Sequence, residues 1–158
     1  MRKLLIIILF TTFGITSNAE RLMDLPPFER ACIILKFYET LHTPKHWPYI
    51  GYGHQVQPGE PYQKGVQLTE RQADALLRKD LRKFCAMYRE FGADSLLAAC
   101  LSYNCGPGRI KNSRLLRKLR RGDRDILADY LSFCHYNGRH HPGIRRRRWV
   151  EYHALRDR

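Results

Sequence analysis

The stretch Pro26-Pro27-Phe28-Glu29-Arg30-Ala31-Cys32-Ile33-Ile34-Leu35-Lys36-Phe37-Tyr38-Glu39, followed closely by Trp47-Pro48-Tyr49-Ile50-Gly51-Tyr52-Gly53-His54, decides the fold. In its first half the apolar residues Phe28, Ala31, Cys32, Leu35 and Tyr38 recur at three- and four-residue steps, the spacing of one helical face, and Pro27 suits the start of that helix. The helix cannot run far past His42, because the residue before Pro44 is pushed out of the helical region. Trp47 to Val56, rich in aromatics and holding Gly51 and Gly53, reads as extended or hairpin structure, and Gln57 to Gly65 as a Pro/Gly loop. The chain therefore starts its fold with a helix that empties into a small β-element.

Everything further on reads as helix. Thr69-Glu70-Arg71-Gln72 is a capping box, and the apolar positions Ala73, Leu76, Leu77, Leu81, Phe84 and Tyr88 hold one face of the helix it opens. Asp94 or Ser95 is expected to cap a mostly apolar helix from Leu96 to Cys105, stopped by Gly106-Pro107-Gly108. Ser113 is expected to cap a short basic helix ending at Gly122, and Asp123 another running to about Tyr136. After a turn from Asn137 to Gly143 a last helix carries Arg145 to Arg156. With no internal repeat, these elements amount to one mainly helical α+β domain over residues 20–158.

The N-terminus predicts export. Met1-Arg2-Lys3, an apolar run from Leu4 to Phe13 and the small residues Ser17 and Ala19 form a signal peptide over residues 1–19, cut after Ala19; an uncleaved anchor is the alternative. Removing Arg2 and Lys3 takes the net charge from +13 to +11. That excess favours anionic partners such as the bacterial envelope, in the periplasm or outside the cell. Five cysteines (Cys32, Cys85, Cys100, Cys105, Cys134) could form two disulfides and leave one thiol, but most lie in apolar helical patterns that favour buried thiols. No metal-ligand spacing is present, and no cofactor is expected.

Glu39 lies four residues after Leu35 and seven after Cys32, on or beside the apolar face of the first helix. A half-buried carboxyl there can stay protonated and serve as an acid, since burial penalises the charged form. The arginine run Arg145 to Arg148 suggests phosphate binding, but consecutive helical residues point about 100° apart, so the four cannot form one stripe. Some must turn inward towards partners such as Glu39 or Glu151, and the Arg147 and Arg148 pairing with Glu151 is expected to be an ordinary intrahelical ion pair.

Together Ile50-Gly51-Tyr52-Gly53-His54, Leu101-Ser102-Tyr103-Asn104-Cys105-Gly106-Pro107-Gly108, Ser113 to Leu119 with Gly122-Asp123, and Pro142 to Glu151 resemble, in order and spacing, the phage-type lysozymes of glycoside hydrolase family 24. The resemblance spans about Phe28 to Leu155. It implies a lysozyme-like fold with a cleft between the β-element and the helical body. It also implies a monomer acting on peptidoglycan, a muramidase cutting the β-1,4 bond between N-acetylmuramic acid and N-acetylglucosamine. Glu39 would be the general acid, Asn104 and His46 substrate-binding residues, and His54, Asp80 and Arg147 structural ones. In the family the histidine of Gly-x-Gly-His pairs with an aspartate on the following helix, and Asp80 matches that position.

One departure stands out. The family pattern places an Asp, or a Cys, nine residues after its catalytic Glu, and a Thr just before Gly-x-Gly-His. Here Thr40 to Tyr49 holds no acid, the next acidic residue is Glu60, and Tyr49 stands where the Thr would be. Thr43, His46 and Tyr49 are candidates to orient a water, though each also suits an ordinary place as helix end, exposed loop and aromatic packing. The departure keeps two other outcomes open, a lytic transglycosylase and a catalytically inactive envelope-binding protein. A DNA-handling protein is permitted by charge but supported by no nucleic-acid motif, so nucleic acid is not an expected partner.

Overall fold

The computed structural model describes residues 21–156, so the expected signal peptide and its cleavage site lie outside the described residues. Helix α1 (Pro27–Glu39) starts on Pro27 and buries Arg30, Ala31, Cys32, Ile34 and Leu35. It stops at Glu39 because Thr40 turns to φ +56, while the Thr40 N–H still donates to the Lys36 carbonyl at 3.1 Å. A 3-10 turn (Pro44–His46) then leads into β1 (Tyr49–Ile50), which pairs antiparallel with β2 (His54–Gln55) in the register Tyr49 to Gln55 and Ile50 to His54.

Helix α2 (Glu70–Met87) opens on the expected capping box. Thr69 Oγ1 accepts from the Gln72 N–H at 3.3 Å, and Gln72 Oε1 accepts from the Thr69 N–H at 2.9 Å. Its face of Ala73, Leu76, Leu77 and Leu81 is buried. After a 3-10 segment (Arg89–Asp94), helix α3 (Ser95–Cys105) is buried at seven consecutive residues, Leu96 to Ser102, which a helix can be only when neighbours surround it. Helices α1, α2 and α7 all contact it, so α3 is the centre of the body. The short helices α4 (Pro107–Ile110), α5 (Arg114–Arg120) and α6 (Leu127–Leu131) complete that body with α7 (Pro142–Leu155). Ser113 caps α5 as expected, accepting from the Leu116 N–H at 3.2 Å.

Three local expectations are corrected. Asp94 sits at the start of α3 but does not cap it, because its buried carboxylate is taken by Arg124 and lies 3.5 Å from Arg156 Nε. Asp123 folds back on its own segment and accepts from the Asp125 N–H at 2.9 Å, so α6 starts only at Leu127. That helix also ends early: a second hairpin, β3 (His135–Tyr136) with β4 (Arg139–His140), replaces its expected last residues. The turn joining its strands uses Asn137 at φ +49 and Gly138 at φ +76.

Apolar side chains collect into two cores. The larger fills the helical body; the smaller, of Ile50, Leu68, Ala73 and Leu76 with Trp47, Tyr52 and Val56 packed on it, underlies the β-element. Gly51 makes the second core possible, for a Cβ there would stand 3.3 Å from the Ala73 Cβ at φ +57. This is the expected mainly helical α+β fold, with a small β-element following the first helix. Among the described residues no helix is long and apolar enough to cross a membrane. All five cysteines are free thiols, three of them buried, and burial pushes the Cys32 thiol up to about 11.

Candidate active site

Glu39 is the last residue of α1, where the helical body meets the β-element. Its side chain is 18% exposed, and its Oε1 accepts from Arg147 Nη1 at 2.7 Å and from Asn104 Nδ2 at 3.2 Å. Oε2 points towards Gly53, where a Cβ would sit 3.4 Å from it at φ +96. Two donors on Oε1 leave Oε2 as the oxygen that can carry a proton, and the missing side chain at Gly53 keeps that oxygen uncovered. Local structure thus gives one carboxyl two different oxygens, one anchored and one available.

The anchor is itself anchored. Arg147 Nε donates to Glu151 Oε1 at 2.8 Å, while Glu151 Oε2 accepts from Tyr130 Oη at 2.9 Å and from Arg148 Nη1. Arg148 Nη2 in turn holds Asn104 Oδ1, which fixes the amide so that its nitrogen faces Glu39. Glu151, Arg148 and Arg147 are all buried, at 0%, 0% and 5% exposure. Burial on its own would raise the Glu151 pKa, yet Arg148 and Arg147 hold it below the ordinary range. For Arg147 burial opposes the charge, and Glu151 and Glu39 outweigh it. The expectation of an ordinary intrahelical pair at Glu151 is therefore corrected: the spacing was right, but the pair lies inside the body and forms a charge-balanced network with Glu39 and both arginines. Arg145 and Arg146 stay exposed, as the angular argument required.

On the β-element, His54 Nδ1 lies 2.6 Å from Asp80 Oδ2 and its Nε2 lies 2.8 Å from Glu60 Oε2. Carboxylates on both ring nitrogens make both of them donors, the charged form of imidazole. The Asp80 hydrogen bond raises the His54 pKa, burial opposes it, and Glu60 adds to the rise. Glu60 was not anticipated as a partner. It is reached through a loop turn in which its Oε2 also accepts from the Gln57 N–H at 2.8 Å, and no periodic pattern marks such a contact.

The candidates for orienting a water lie between these two groups in sequence. Thr43 and His46 are exposed and satisfy each other: the Thr43 N–H donates to His46 Nδ1 at 3.0 Å. Tyr49 is 44% exposed, with its ring 6.5 Å from that of His42. His42, which the sequence reading passed over, is half-buried and joined to the turn of the β-element. Its backbone N–H donates to the Gly51 carbonyl at 2.7 Å and its ring Nδ1 meets the same oxygen at 3.1 Å. Tyr103 secures this turn from the other side, donating to the Tyr52 carbonyl at 2.8 Å.

Comparison with known proteins bears on the family and the fold. The family described as phage lysozyme matches residues 35–151. An endolysin of Bacillus phage B103 is 30% identical over 128 residues, covering 73% of this chain and 45% of that protein, so the chain spans a little under half of this relative's length. An endolysin from Escherichia coli O157:H7 phage FAHEc1 superposes with a TM-score of 0.65 at 21% identity, over 80% of this chain and 90% of that one. At that identity the likeness is one of fold.

Proposed function

This chain belongs to the phage lysozyme family, and on that footing we propose that it is an exported muramidase, cleaving the β-1,4 bond between N-acetylmuramic acid and N-acetylglucosamine in peptidoglycan. Glu39 is its general acid. The observation that carries the reading is the Glu39 carboxyl, held at Oε1 by Arg147 and Asn104 with Oε2 against the bare backbone of Gly53. Protonated on Oε2, it donates to the glycosidic oxygen as that oxygen leaves, while positive charge builds on the sugar ring. A glycan strand would bind between the β-element and the helical body, with His46, Thr43 and Tyr49 along its path and Asn104 fixing the acid. His54 and Asp80 are assigned to holding the β-element on α2. The domain acts as a monomer in the periplasm or outside the cell, after loss of residues 1–19, and its surplus of positive charge draws it to the anionic wall.

One observation favours a second reading. No acid lies between Thr40 and Tyr49, and the next carboxylate, Glu60, is engaged by His54. A single acid-base group suffices for a lytic transglycosylase, in which a hydroxyl of the sugar replaces water. Purified cell walls cast in a gel test the main proposal: the wild type should clear them and Glu39→Gln should not. Reducing ends in the soluble products mark the muramidase, and 1,6-anhydro ends mark the transglycosylase.

A further inference from the structure

We infer that His42 is the missing second catalytic group, accepting through Nε2 the proton of the water that attacks the sugar. The inference rests on the glycosidase reading of Glu39. A carbonyl oxygen only accepts hydrogen bonds, so His42 Nδ1, 3.1 Å from the Gly51 carbonyl, carries the proton and donates. In the neutral ring Nε2 then bears a lone pair, and among the described residues it has no hydrogen-bond partner. The neighbouring His46 has its Nδ1 taken up within its own turn, 3.0 Å from the Thr43 backbone nitrogen and 3.2 Å from the Thr43 carbonyl oxygen.

The neighbouring carboxylates are occupied, Glu60 and Asp80 by His54. Placement agrees with this tautomer. The Glu39 carboxyl lies against Gly53 and the His42 ring against the carbonyl of Gly51, so both side chains face one Gly-Tyr-Gly turn. They stand three positions apart on the segment that leaves α1. An inverting glycosidase sets its acid and its base far enough apart to leave room for one water between base and sugar. His42 packs edge to face on His46 at 4.7 Å between ring centres, which steadies the ring beyond its single hydrogen bond.

In the step, the bond from the anomeric carbon to the bridging oxygen breaks and that oxygen takes the proton of Glu39. The water oxygen bonds to the anomeric carbon from the opposite face, and its proton passes to His42 Nε2. Exchange with solvent then returns both groups to their starting forms. No other reactant is needed.

The test uses His42→Ala and His42→Gln on soluble glycan strands, with the wild type and Glu39→Gln beside them. Gln is the second variant because its amide can still donate to Gly51 while offering no basic nitrogen. Both variants should keep KM within a few-fold and lose about 100-fold or more in kcat, the usual span for a general base. Added imidazole should restore part of the His42→Ala loss. Either folded variant turning over within threefold of wild type overturns the inference, as does a loss in His42→Ala that imidazole leaves untouched. Products ending only in 1,6-anhydro sugar would also overturn it, since no water is then activated, while leaving Glu39 as the acid. A wild type that cleaves nothing would overturn both.

Discussion

Replacing Glu151 with glutamine removes one charge from a place that water does not reach. Glu151 has no exposed surface and accepts from Arg147, Arg148 and Tyr130, while Glu39 takes the remaining contact to Arg147. Two carboxylates thus balance two guanidiniums, and Glu151→Gln leaves a net positive charge buried among Arg147, Arg148 and Tyr130. Breaking a buried pair from one side costs about 3–5 kcal/mol. For a domain of this size that lowers the melting temperature by roughly 10–15 °C.

The control is Glu90→Gln, whose pair with Arg120 at 3.5 Å is about half exposed on both sides and should contribute no more than about 0.5 kcal/mol. Circular-dichroism melts at neutral pH measure both. The sign of the pH effect follows from the depressed Glu151 pKa. Its contribution is present above the unfolded carboxyl value of about 4.3 and lost as pH falls through the folded one, so wild type and variant should converge in acid. A Glu151→Gln variant melting within about 2 °C of Glu90→Gln would refute the reasoning, because a pair of that kind behaves like a surface one.

His54 should titrate above the free imidazole value, and Asp80→Asn should bring it down; its stabilisation is complete below about 6.5 and lost as pH rises through the folded pKa, and an unshifted NMR titration would contradict the pairing. Gly53→Ala and Gly59→Ala both force alanine to positive φ, at +96 and +88, each costing about 1–2 kcal/mol, but only at Gly53 does the new methyl meet Glu39. Cell-wall cleavage should therefore drop in Gly53→Ala alone, and equal activities would count against the uncovered-oxygen account. In native protein Cys32, Cys100 and Cys134 should resist a thiol reagent until denaturant is added, and prompt stoichiometric labelling of Cys32 would contradict its burial.

Much of the fold was legible wherever a residue's partner is a near neighbour in sequence. The Thr69 and Ser113 caps, the end of α1 before Pro44, and the inward turn of Arg147 all follow from spacing alone. Asp94 had a cap's position too, but an arginine thirty residues further along the chain, Arg124, competes for its carboxylate, and no local pattern shows that. The hairpin at His135 to His140 has strands of two exposed residues, too short to display a period of two. Glu151 was visible as a partner of Arg147 and Arg148, yet i,i+3 and i,i+4 spacing is the same on a surface helix as on a buried one. Only packing against Tyr130 separates the two cases. In the site, Glu39 stood out through the company of Gly51, Gly53 and His54. His42 did not, because what distinguishes it is a hydrogen bond across the turn to Gly51, where the histidine's type and place look like an ordinary helix exit.

Mass spectrometry of purified cell walls digested by the wild type and by Glu39→Gln, with melting curves on both proteins, tests the central claim most directly. The account predicts soluble disaccharide-peptide fragments with reducing N-acetylmuramic acid ends from the wild type, and none from an equally folded Glu39→Gln. The same fragments released at a comparable rate by Glu39→Gln would contradict it.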